Sequence, residues 1–450
     1  MRRSPAARLA DPPAGWLPVE VLQIDIDRPL PSAPPAEAPS GRTHRRAWAL
    51  VRLHTRPLGT VEMDIPAGGL SASEVGQRIW SALGQAILEH LRQDGLDAVH
   101  GLAASGLPST DRPGCLRLQD QLLAAAPLVS VVVATRDRPL LLAACLRSLQ
   151  TLAYPRYEII VVDNAPRGNE TVELVGGMVR DGKAPVGYLR EDTPGLSSAR
   201  NSGLRAARGD LIAFTDDDVL VDRHWLTHLV AAFRRTERVA CVTGNILPLE
   251  IETPAQLWVE RFGGLGKGDA PRIFDLAAHR APGPLFPYAA GMFGSGANVA
   301  FDTRFLRAMG GFDPALSTGT PARGGEDLAA FFTVLTRGYR LAYEPAAIVR
   351  HRHYREEAEL RRQLHGYGVG LTAYLTKVVL DDPRRAVDLL GRIPRAAAFL
   401  ARRQARRGTG VGYPRGLCRT ELVGMAYGPL AYVRSRLRAG RQAVLGKDRP

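Results

Sequence analysis

Cysteine is scarce in this chain of 450 residues. It has only four, and they are Cys115, Cys145, Cys241 and Cys418. They lie singly, with no CxxC pair and no spacing typical of zinc ligation or of a disulfide framework. Disulfide-rich domains belong to oxidising compartments. The cysteine pattern therefore favours a reducing compartment, and we expect a cytoplasmic protein.

Long hydrophobic runs are also missing. The longest uncharged apolar stretch near the C-terminus, 422–433, is shorter than the roughly 18 to 20 residues that a bilayer-spanning helix needs. The basic start, Met1 to Pro5, is not followed by an apolar segment, so we expect no secretory signal. An apolar fraction of 45% can nevertheless fill a sizeable core, and the length is sufficient for two or three domains.

Acidic residues fall short of basic ones only in the last part of the chain. The net charge is +14, and residues 350–450 carry 22 Lys or Arg against 8 Asp or Glu, a difference equal to that net charge. Such asymmetry indicates contact with a polyanion, whereas a merely solubilising tail is the alternative. Aromatic stacking platforms are scarce, so we expect an anionic membrane surface and no nucleic acid.

The first 122 residues are predicted to form a small α+β accessory domain, in which we find no catalytic motif. Alternation predicts a strand at 19–26, and 47–54 and 60–65 are expected to pair as a hairpin around Pro57-Leu58-Gly59. Ser71 or Ser73 is expected to cap a helix that runs to about Gln93.

A parallel sheet is predicted within residues 123–354. The β-branched run 129–134 is typical of a strand buried on both faces, and Pro139 suits the first turn of the helix after it. Further strands are expected at 158–162, 186–190 and 210–214, with helices at 168–179 and 196–207. Because open parallel sheets bind ligands at the carboxyl ends of their strands, Thr135, Asp163 and Asp216 should lie together.

Three adjacent acids, Asp216-Asp217-Asp218, follow the last of these strands. Their charges repel one another, and a hard divalent cation that keeps open positions for substrate phosphates offsets that repulsion best. A solvated acidic turn is the alternative. A second acid pair, Glu326-Asp327, follows two glycines, and His351 and His353 come after a strand expected at 346–349.

Seven motifs follow one another along the chain. They are VSVVVATRDRP at 129–139, EIIVVDN at 158–164, GLSSARNSG at 195–203, FTDDD at 214–218, GAN at 296–298, GFD at 311–313 and GGEDL at 324–328. In this order they resemble the family 2 glycosyltransferases, whose nucleotide-diphospho-sugar transferase fold is called GT-A. The resemblance covers about residues 129–353 and implies an α/β core with a mixed, mainly parallel sheet.

The resemblance implies a set of donor-binding residues. Asp163 would accept a hydrogen bond from the base of a uridine, thymidine or guanosine donor, and Thr135 would frame the same pocket. Arg200 would hold the diphosphate in a fork, with an ordinary ion pair as the alternative. The other candidates are Arg136, Asn201, Asp216, Asp217, Gly296 and Asn298.

The resemblance also implies a Mg²⁺ or Mn²⁺ ion and a general base. The family pattern Asp-x-Asp falls on Asp216 and Asp218, but the acid between them leaves the ligand assignment open. His351 is expected as a third ligand, with His353 as the alternative.

The base maps to Asp327, with Glu326 beside it to bind the acceptor or tune the environment. A neighbouring carboxylate should raise the pKa of this base. The alternative is that the pair merely caps the helix 328–337.

Residues 355–450 are predicted to form a basic helical extension, with helices at 356–377, 383–407 and 419–438. Basic amphipathic helices of this kind lie on anionic membranes, so a peripheral position on the inner face of the cytoplasmic membrane is expected. Packing of the helices onto the catalytic domain is the alternative.

The predicted activity is inverting, metal-dependent sugar transfer, of hexosyltransferase type, from a nucleotide-diphosphate-sugar to a hydroxyl of a glycan or lipid-linked acceptor, as in the synthesis of cell-envelope polysaccharides. One alternative is a sugar-phosphate nucleotidylyltransferase, against which the missing early glycine-rich loop argues. The other is an inactive GT-A-fold protein that acts as a membrane or scaffold binder.

Overall fold

A computed structural model describes residues 18–37, 41, 43–108, 111–178, 184–408 and 415–445. The basic start, Met1 to Pro5, lies outside these ranges. Among the described helices, none combines the length and the apolar character needed to cross a bilayer.

The N-terminal part is a three-stranded sheet backed by helices. Its elements are β1 Val19–Asp25, β2 Arg46–Leu53, β3 Arg56–Asp64, α1 Ala72–Asp94 and α2 Gly114–Ala124. Strand β2 pairs parallel with β1 and antiparallel with β3. The Ser71 side chain caps α1 and forms a capping box with Glu74, as the sequence predicts. The α+β character is therefore present, with its own buried core.

The hairpin turn begins three residues earlier than the sequence predicts. Strand β3 already begins at Arg56 and includes Pro57 and Gly59, so the turn is made by His54 and Thr55. Both residues have positive φ, 50° and 70°, a conformation that non-glycine residues seldom adopt. The Pro-Leu-Gly signal therefore misplaced the turn.

One mixed sheet of nine strands forms the centre of the region that the sequence predicts to be catalytic, which we call the catalytic domain. The elements are β4 Val129–Thr135, α3 Pro139–Gln150, β5 Tyr157–Asn164, α4 Glu170–Met178, β6 Val186–Glu191, α5 Leu196–Ala206, β7 Leu211–Asp216, β8 Val219–Val221, α6 Trp225–Phe233, β9 Val239–Pro248, α7 Pro254–Gly263, β10 Arg272–Phe274, a short 3-10 helix Ala290–Met292, β11 Asn298–Asp302, α8 Thr303–Ala308, α9 Glu326–Thr336 and β12 Arg340–His351. The strand order is β10-β12-β9-β11-β7-β4-β5-β6, and β8 pairs with β12.

Strands β7, β4, β5 and β6 are parallel to one another, as are β9 and β12. Strands β8, β10 and β11 are antiparallel to their partners. Helices cover both faces, since alternate residues of β4 such as Val131 and Val132 belong to two different cores. This explains the continuous β-branched run at 129–134. The predicted α/β class with a mixed sheet is confirmed.

The C-terminal extension consists of α10 Glu357–Asp381, α11 Arg385–Gly408 and α12 Arg415–Leu445. Helix α10 packs on the catalytic domain, since Tyr374 and Val378 belong to its main core. Helices α10 and α12 cross at glycines: a Cβ at Gly368 or Gly424 would lie 2.1 or 2.3 Å from a backbone oxygen of the other helix. The extension is therefore continuous with the catalytic core through α10.

The N-terminal sheet is docked on the catalytic domain by a buried ion-pair network. Arg52 of β2 contacts Asp25 and Asp222, each at 2.6 Å, and the Asp222 side chain belongs to the catalytic domain. Arg52 is 6% exposed, so loss of either carboxylate would leave a buried charge without its full set of partners.

Candidate active site

The acid triplet begins at the end of β7, as predicted, beside the ends of two other strands. Thr135 of β4 lies opposite Asp163 of β5, and Ala134 lies opposite Asp216 of β7. Thr135, Asp163 and Asp216 therefore occupy neighbouring strand ends. We call the group formed by Asp216, Asp218, His351, Glu326 and Asp327 the acid site.

The middle acid, Asp217, anchors the turn. It is 5% exposed and accepts hydrogen bonds from Thr135 Oγ1 at 2.7 Å and from the Arg138 guanidinium at 3.2 Å. Burial, and then the charge of Asp218, raise the pKa of Asp217 to about 6. Both of its oxygens have partners on the β4 side, so it holds the turn in place against the end of β4.

Asp218 faces a histidine with an oxygen that has no hydrogen-bond donor. Its Oδ1 is buried and unpaired, and His351 Nε2 lies 3.5 Å from it. Burial lowers the pKa of His351, which favours the neutral imidazole that binds metals. An ion with bonds of about 2.0 to 2.2 Å to both atoms fits this separation.

A chain of hydrogen bonds orients His351. Glu260 Oε1 lies 2.6 Å from His353 Nε2, and the Nδ1 atoms of the two histidines are 3.1 Å apart. If Glu260 accepts a proton from His353 Nε2, His353 Nδ1 accepts one from His351 Nδ1. His351 Nε2 is then left with a free lone pair directed at Asp218. The alternative ligand, His353, is thus a supporting residue in this structure.

Asp216 is held apart from these two side chains by an arginine. Its Oδ1 accepts a hydrogen bond from Arg200 at 3.1 Å, and its side chain is 33% exposed. Within the described ranges, the ligand atoms of Asp216, Asp218 and His351 do not converge to within 4.8 Å of one another. The structure thus brings Asp218 and His351 together, and places Asp216 beside Arg200.

Arg200 connects the acid triplet with the second acid pair. It is 2% exposed and donates to Asp216, to Glu326 Oε1 at 3.0 Å and to the Gly296 carbonyl at 2.9 Å. The Arg200 Cζ atom lies over the rings of Phe214 and Phe312, 5.9 and 5.7 Å from their centres. Its predicted contact with a diphosphate stays a prediction.

Gly296 fits this arrangement because it has no side chain. A Cβ at that position would lie 2.6 Å from a terminal nitrogen of Arg200. The Gly296 N–H donates to Asp327 Oδ2 at 2.9 Å, while its carbonyl accepts from Arg200. One residue therefore fixes both the arginine and the predicted base.

The second acid pair begins α9, after Gly325 in a left-handed conformation. Asp327 is half-buried, and its Oδ1 accepts from the Leu328 N–H at 2.8 Å. Glu326 is buried, and its pKa is raised to about 7 by burial first and then by the charge of Asp327, against the opposing effect of Arg200. The raised pKa thus falls on Glu326.

Asp163 lies at the other end of the row of strand ends. It is fully buried, and Tyr188 donates to its Oδ2 at 3.1 Å while its Oδ1 has no partner. Burial raises the pKa of Asp163. An acceptor oxygen without a donor is what a nucleobase N–H would need.

Three residues predicted to contact the donor have protein partners in the structure. Asn201 pairs both ends of its amide with the Phe312 backbone, each at 2.8 Å. Asn298 is fully buried and bonds to Trp225 and two carbonyls. Arg136 is 45% exposed, and its ion-pair partner is the adjacent Asp137 at 3.9 Å. The structure corrects the interpretation of the two asparagines, which join elements of the fold because their amides are already saturated. The predicted donor contact of Arg136 stays a prediction.

The sequence analysis missed three residues of the site. Arg138 reaches Asp217 and Asp218, although it belongs to a recognised motif. Glu260 lies outside every motif. Tyr367 lies on α10, where its pKa is raised by desolvation of the hydroxyl and then by negative charges that include those of Asp327, Asp216 and Asp218. Its side chain is still 48% exposed, so it lines the open side of the acid site.

Comparison with known proteins points to one family. The family model described as Glycosyl transferase family 2 matches residues 130–292. A pre-mycofactocin glycosyltransferase of Mycobacterium tuberculosis is 30% identical over 227 residues, which cover 50% of this chain and 43% of that protein. A glucosyl-dolichyl phosphate glucuronosyltransferase of Haloferax volcanii is 25% identical over 268 residues, covering 56% of this chain and 80% of that protein. The chain thus spans less than half the length of the first relative.

A solved mannosyltransferase of Pyrobaculum calidifontis, in complex with GDP-Man and Mn²⁺, is 19% identical, with a TM-score of 0.38 over 71% of this chain and 75% of that one. The matched segment 130–292 contains the acid triplet and the row of strand ends in the mixed sheet. Over this segment the chain is therefore similar to glycosyl transferase family 2.

Proposed function

We propose that the protein is an inverting, metal-dependent glycosyltransferase, of hexosyltransferase type, that moves a sugar from a nucleotide-diphosphate-sugar to a hydroxyl of a glycan or lipid-linked acceptor. One observation carries the proposal: a single buried guanidinium, that of Arg200, bonds at 3.1 and 3.0 Å to Asp216 of the acid triplet and to Glu326 beside the predicted base. This shared partner supports a single site for the predicted donor-binding and acceptor-activating motifs.

The reaction requires one base. Asp327 would take the proton of the acceptor hydroxyl as the hydroxyl oxygen bonds to the anomeric carbon. The bond from that carbon to the donor phosphate oxygen breaks on the opposite face, and its electron pair leaves with the nucleoside diphosphate. Attack opposite the leaving group inverts the anomeric configuration. The half-buried position of Asp327 leaves it accessible to an acceptor.

Asp218 and His351 would hold a Mn²⁺ or Mg²⁺ ion, with Asp216 as a further candidate. The unpaired Asp218 Oδ1 and the directed lone pair of His351 support this assignment. When bound, the ion would neutralise charge on the departing diphosphate. Asp163 would hold the donor base through its unpaired Oδ1. Arg200 and Gly296 would keep Asp216, Glu326 and Asp327 in place.

A panel of nucleotide-sugars tests the proposal. Purified full-length protein is incubated with UDP-, dTDP- and GDP-sugars and Mn²⁺, and nucleoside diphosphate release is measured with and without glycan or lipid-linked acceptors. We expect release with one donor, lost on chelation. Pyrophosphate formed from a sugar phosphate and a nucleoside triphosphate would instead identify a nucleotidylyltransferase. Donor binding without turnover under any acceptor would favour an inactive binding protein.

We also propose that α11 contacts an anionic membrane at the cytoplasmic face. Its polar side packs on the catalytic domain: Arg392 donates to the Phe286 carbonyl at 3.2 Å, and Tyr288 donates to Asp388 at 2.7 Å. Three of its apolar residues point the other way, whereas Leu389 packs on the core. Val387, Leu390 and Ile393 are 77%, 64% and 56% exposed.

This arrangement supports a lipid surface as the partner. The three exposed residues are spaced three apart, so they form one stripe on the helix. The surplus of 14 positive charges in residues 350–450 adds attraction for anionic headgroups. The name of the Haloferax relative contains a lipid-linked phosphate, which is consistent with an acceptor presented at a membrane.

Exchange of Val387, Leu390 and Ile393 for serine tests this contact. Truncation is unsuitable, since α10 is part of the core. On vesicles of phosphatidylglycerol and phosphatidylcholine, we expect the triple variant to lose at least about 10-fold in binding. Leu140→Ser, at a residue 85% exposed on α3, is the matched control. Equal vesicle binding by wild type, the triple variant and Leu140→Ser would contradict the membrane contact.

A further inference from the structure

Four side chains of the types that bind zinc converge at the edge of the N-terminal sheet. They are His54, His90, Asp94 and Cys115, and one ligand atom from each lies within 4.8 Å of all the others. We call this group the N-terminal cluster. His54 is in the hairpin turn, His90 and Asp94 are one turn apart on α1, and Cys115 is in the first turn of α2.

The separations match those around one small ion. His54 Nδ1 and His90 Nε2 are 3.2 Å apart, His90 Nε2 and Asp94 Oδ2 are 3.2 Å apart, and Cys115 Sγ is 3.9 Å from His90 Nε2. A tetrahedral zinc ion with bonds of about 2.0 to 2.3 Å places its ligands about 3.3 to 3.8 Å apart. Two further contacts, from Asp94 Oδ2 to His54 and to Cys115, are 2.7 and 2.9 Å, so the carboxylate would shift outward by about half an ångström on binding.

Hydrogen bonding alone explains the convergence less well. Three groups, His54, His90 and Cys115, crowd a single oxygen, Asp94 Oδ2, while Asp94 Oδ1 accepts from the Cys115 N–H at 2.8 Å. His54 Nδ1 and His90 Nε2 face each other. If both nitrogens carried a proton directed at Asp94 Oδ2, the two protons would crowd each other. One cation satisfies all four ligand atoms at once.

Burial and charge favour a structural ion. His54, Asp94 and His90 are 2%, 6% and 9% exposed. One aspartate and one thiolate together balance the charge of a divalent ion, which would displace the proton of the Cys115 thiol on binding. A cavity of about 630 Å³, lined by His90, Asp94 and Cys115 among others, gives an entry route.

We propose that the N-terminal cluster is a structural zinc site that fixes the accessory domain to the catalytic domain. Thr55, next to His54, lies 3.1 Å from His228 of α6, and α2 leads directly into β4. The ion would therefore tie the hairpin, α1 and α2 at the junction of the two domains. Four protein ligands leave no open position, which is typical of structural zinc sites.

The test uses full-length protein carrying Asp218→Asn, so that the acid site does not compete for metal. After zinc loading and gel filtration, elemental analysis should find about one zinc per chain. In Cys115→Ser and His90→Gln we expect less than about a tenth of that amount. His100→Gln, at an exposed histidine of the same domain, should keep its zinc.

Two measurements use protein in which all four cluster residues are unchanged. Their result therefore does not depend on whether a variant folds. Cobalt in place of zinc should give the intense visible bands of tetrahedral, thiolate-bound cobalt, and zinc should raise the unfolding temperature of chelator-treated protein. Zinc-free protein after loading, or equal zinc in Cys115→Ser and in the control, would overturn the proposal. Cobalt bands of octahedral type would do so as well.

Discussion

The acid site and the N-terminal cluster both gather ligand atoms, but they differ in how open they are. At the acid site, Asp216 and Asp218 keep 33% and 19% of their side-chain surface exposed, and Asp218 Oδ1 has no partner. At the N-terminal cluster, His54 is 2% exposed, and each ligand atom contacts another.

The difference follows from what each group is built on. The acid site sits at the carboxyl ends of strands, where the sheet stops and a substrate can approach. The N-terminal cluster lies between a hairpin turn and two helices, where an ion bound to all three elements would stabilise their packing. Open ligand sets leave positions for chemistry, and closed sets hold elements together. Mutations should therefore separate the two groups cleanly.

The largest effect is expected from Asp327→Asn. Asparagine keeps the hydrogen bond from the Gly296 N–H but cannot take a proton, so transfer should fall about 10²- to 10⁴-fold. Donor and Mn²⁺ binding, measured by calorimetry, should be unchanged, as should the zinc content. Loss of donor binding along with activity would show that Asp327 is not the base.

Glu260→Ala should weaken metal binding at the acid site alone. Without Glu260, His353 can adopt the other tautomer, and the lone pair of His351 is no longer directed at Asp218. Positioning residues of this kind change metal affinity by about 10- to 100-fold.

Calorimetric Mn²⁺ titration measures this effect, and Glu260→Gln, which keeps an acceptor, should recover much of the affinity. Glu237→Ala, at an exposed position, is the control for removing a carboxylate. Unchanged affinity in Glu260→Ala would mean that the hydrogen-bonded chain does not orient His351.

Sequence reasoning succeeds where structure is local. Strands β4 to β7 and their ends at Thr135, Asp163 and Asp216 follow from runs of β-branched residues, and a serine cap of α1 follows from short-range hydrogen bonds. Local patterns also locate the three helices of the extension to within four residues, except that α12 ends seven residues later than predicted.

Sequence reasoning fails where the role of a residue depends on a partner that is distant in the chain. Nothing near Asn201 indicates that its amide is matched by the backbone of Phe312, 111 residues away. Glu260 and Tyr367 carry no motif, and their positions follow from how α7 and α10 pack. The N-terminal cluster joins residues 54 to 115 and has no characteristic spacing, so only the folded chain reveals it.

Asp163→Asn sharpens the comparison from the donor side. The unpaired Oδ1 should accept from the nucleobase, and an amide oxygen in its place is a weaker acceptor. We expect about a 10-fold loss in donor affinity, with Mn²⁺ affinity unchanged. Asp192→Asn, at an exposed position close in sequence, is the control. Equal donor affinity in both variants would remove Asp163 from the donor pocket.

The smallest effect concerns the pH dependence of stability. Because the pKa of Glu326 is raised from 4.5 to about 7 in the folded protein, the folded state keeps a proton that the unfolded state has lost between these values. The stabilisation from Glu326 is thus complete below pH 4.5 and is lost as the pH rises through 7. Asp217, with a pKa raised to about 6, acts at lower pH, and buried histidines of lowered pKa act in the opposite sense.

The difference between wild type and Glu326→Gln isolates the effect of Glu326, since glutamine does not titrate. Measured by urea unfolding without metal, the unfolding free energy of wild type relative to the variant should fall by about 1 kcal/mol from pH 6 to 7.5. As a control, His90→Gln in the N-terminal cluster is introduced into both wild type and Glu326→Gln. The pH dependence of the difference between these two proteins should stay the same. If the difference stayed constant across this range, Glu326 would not be the group that keeps the proton. A buried carboxyl that is already ionised at pH 6 has no proton left to lose.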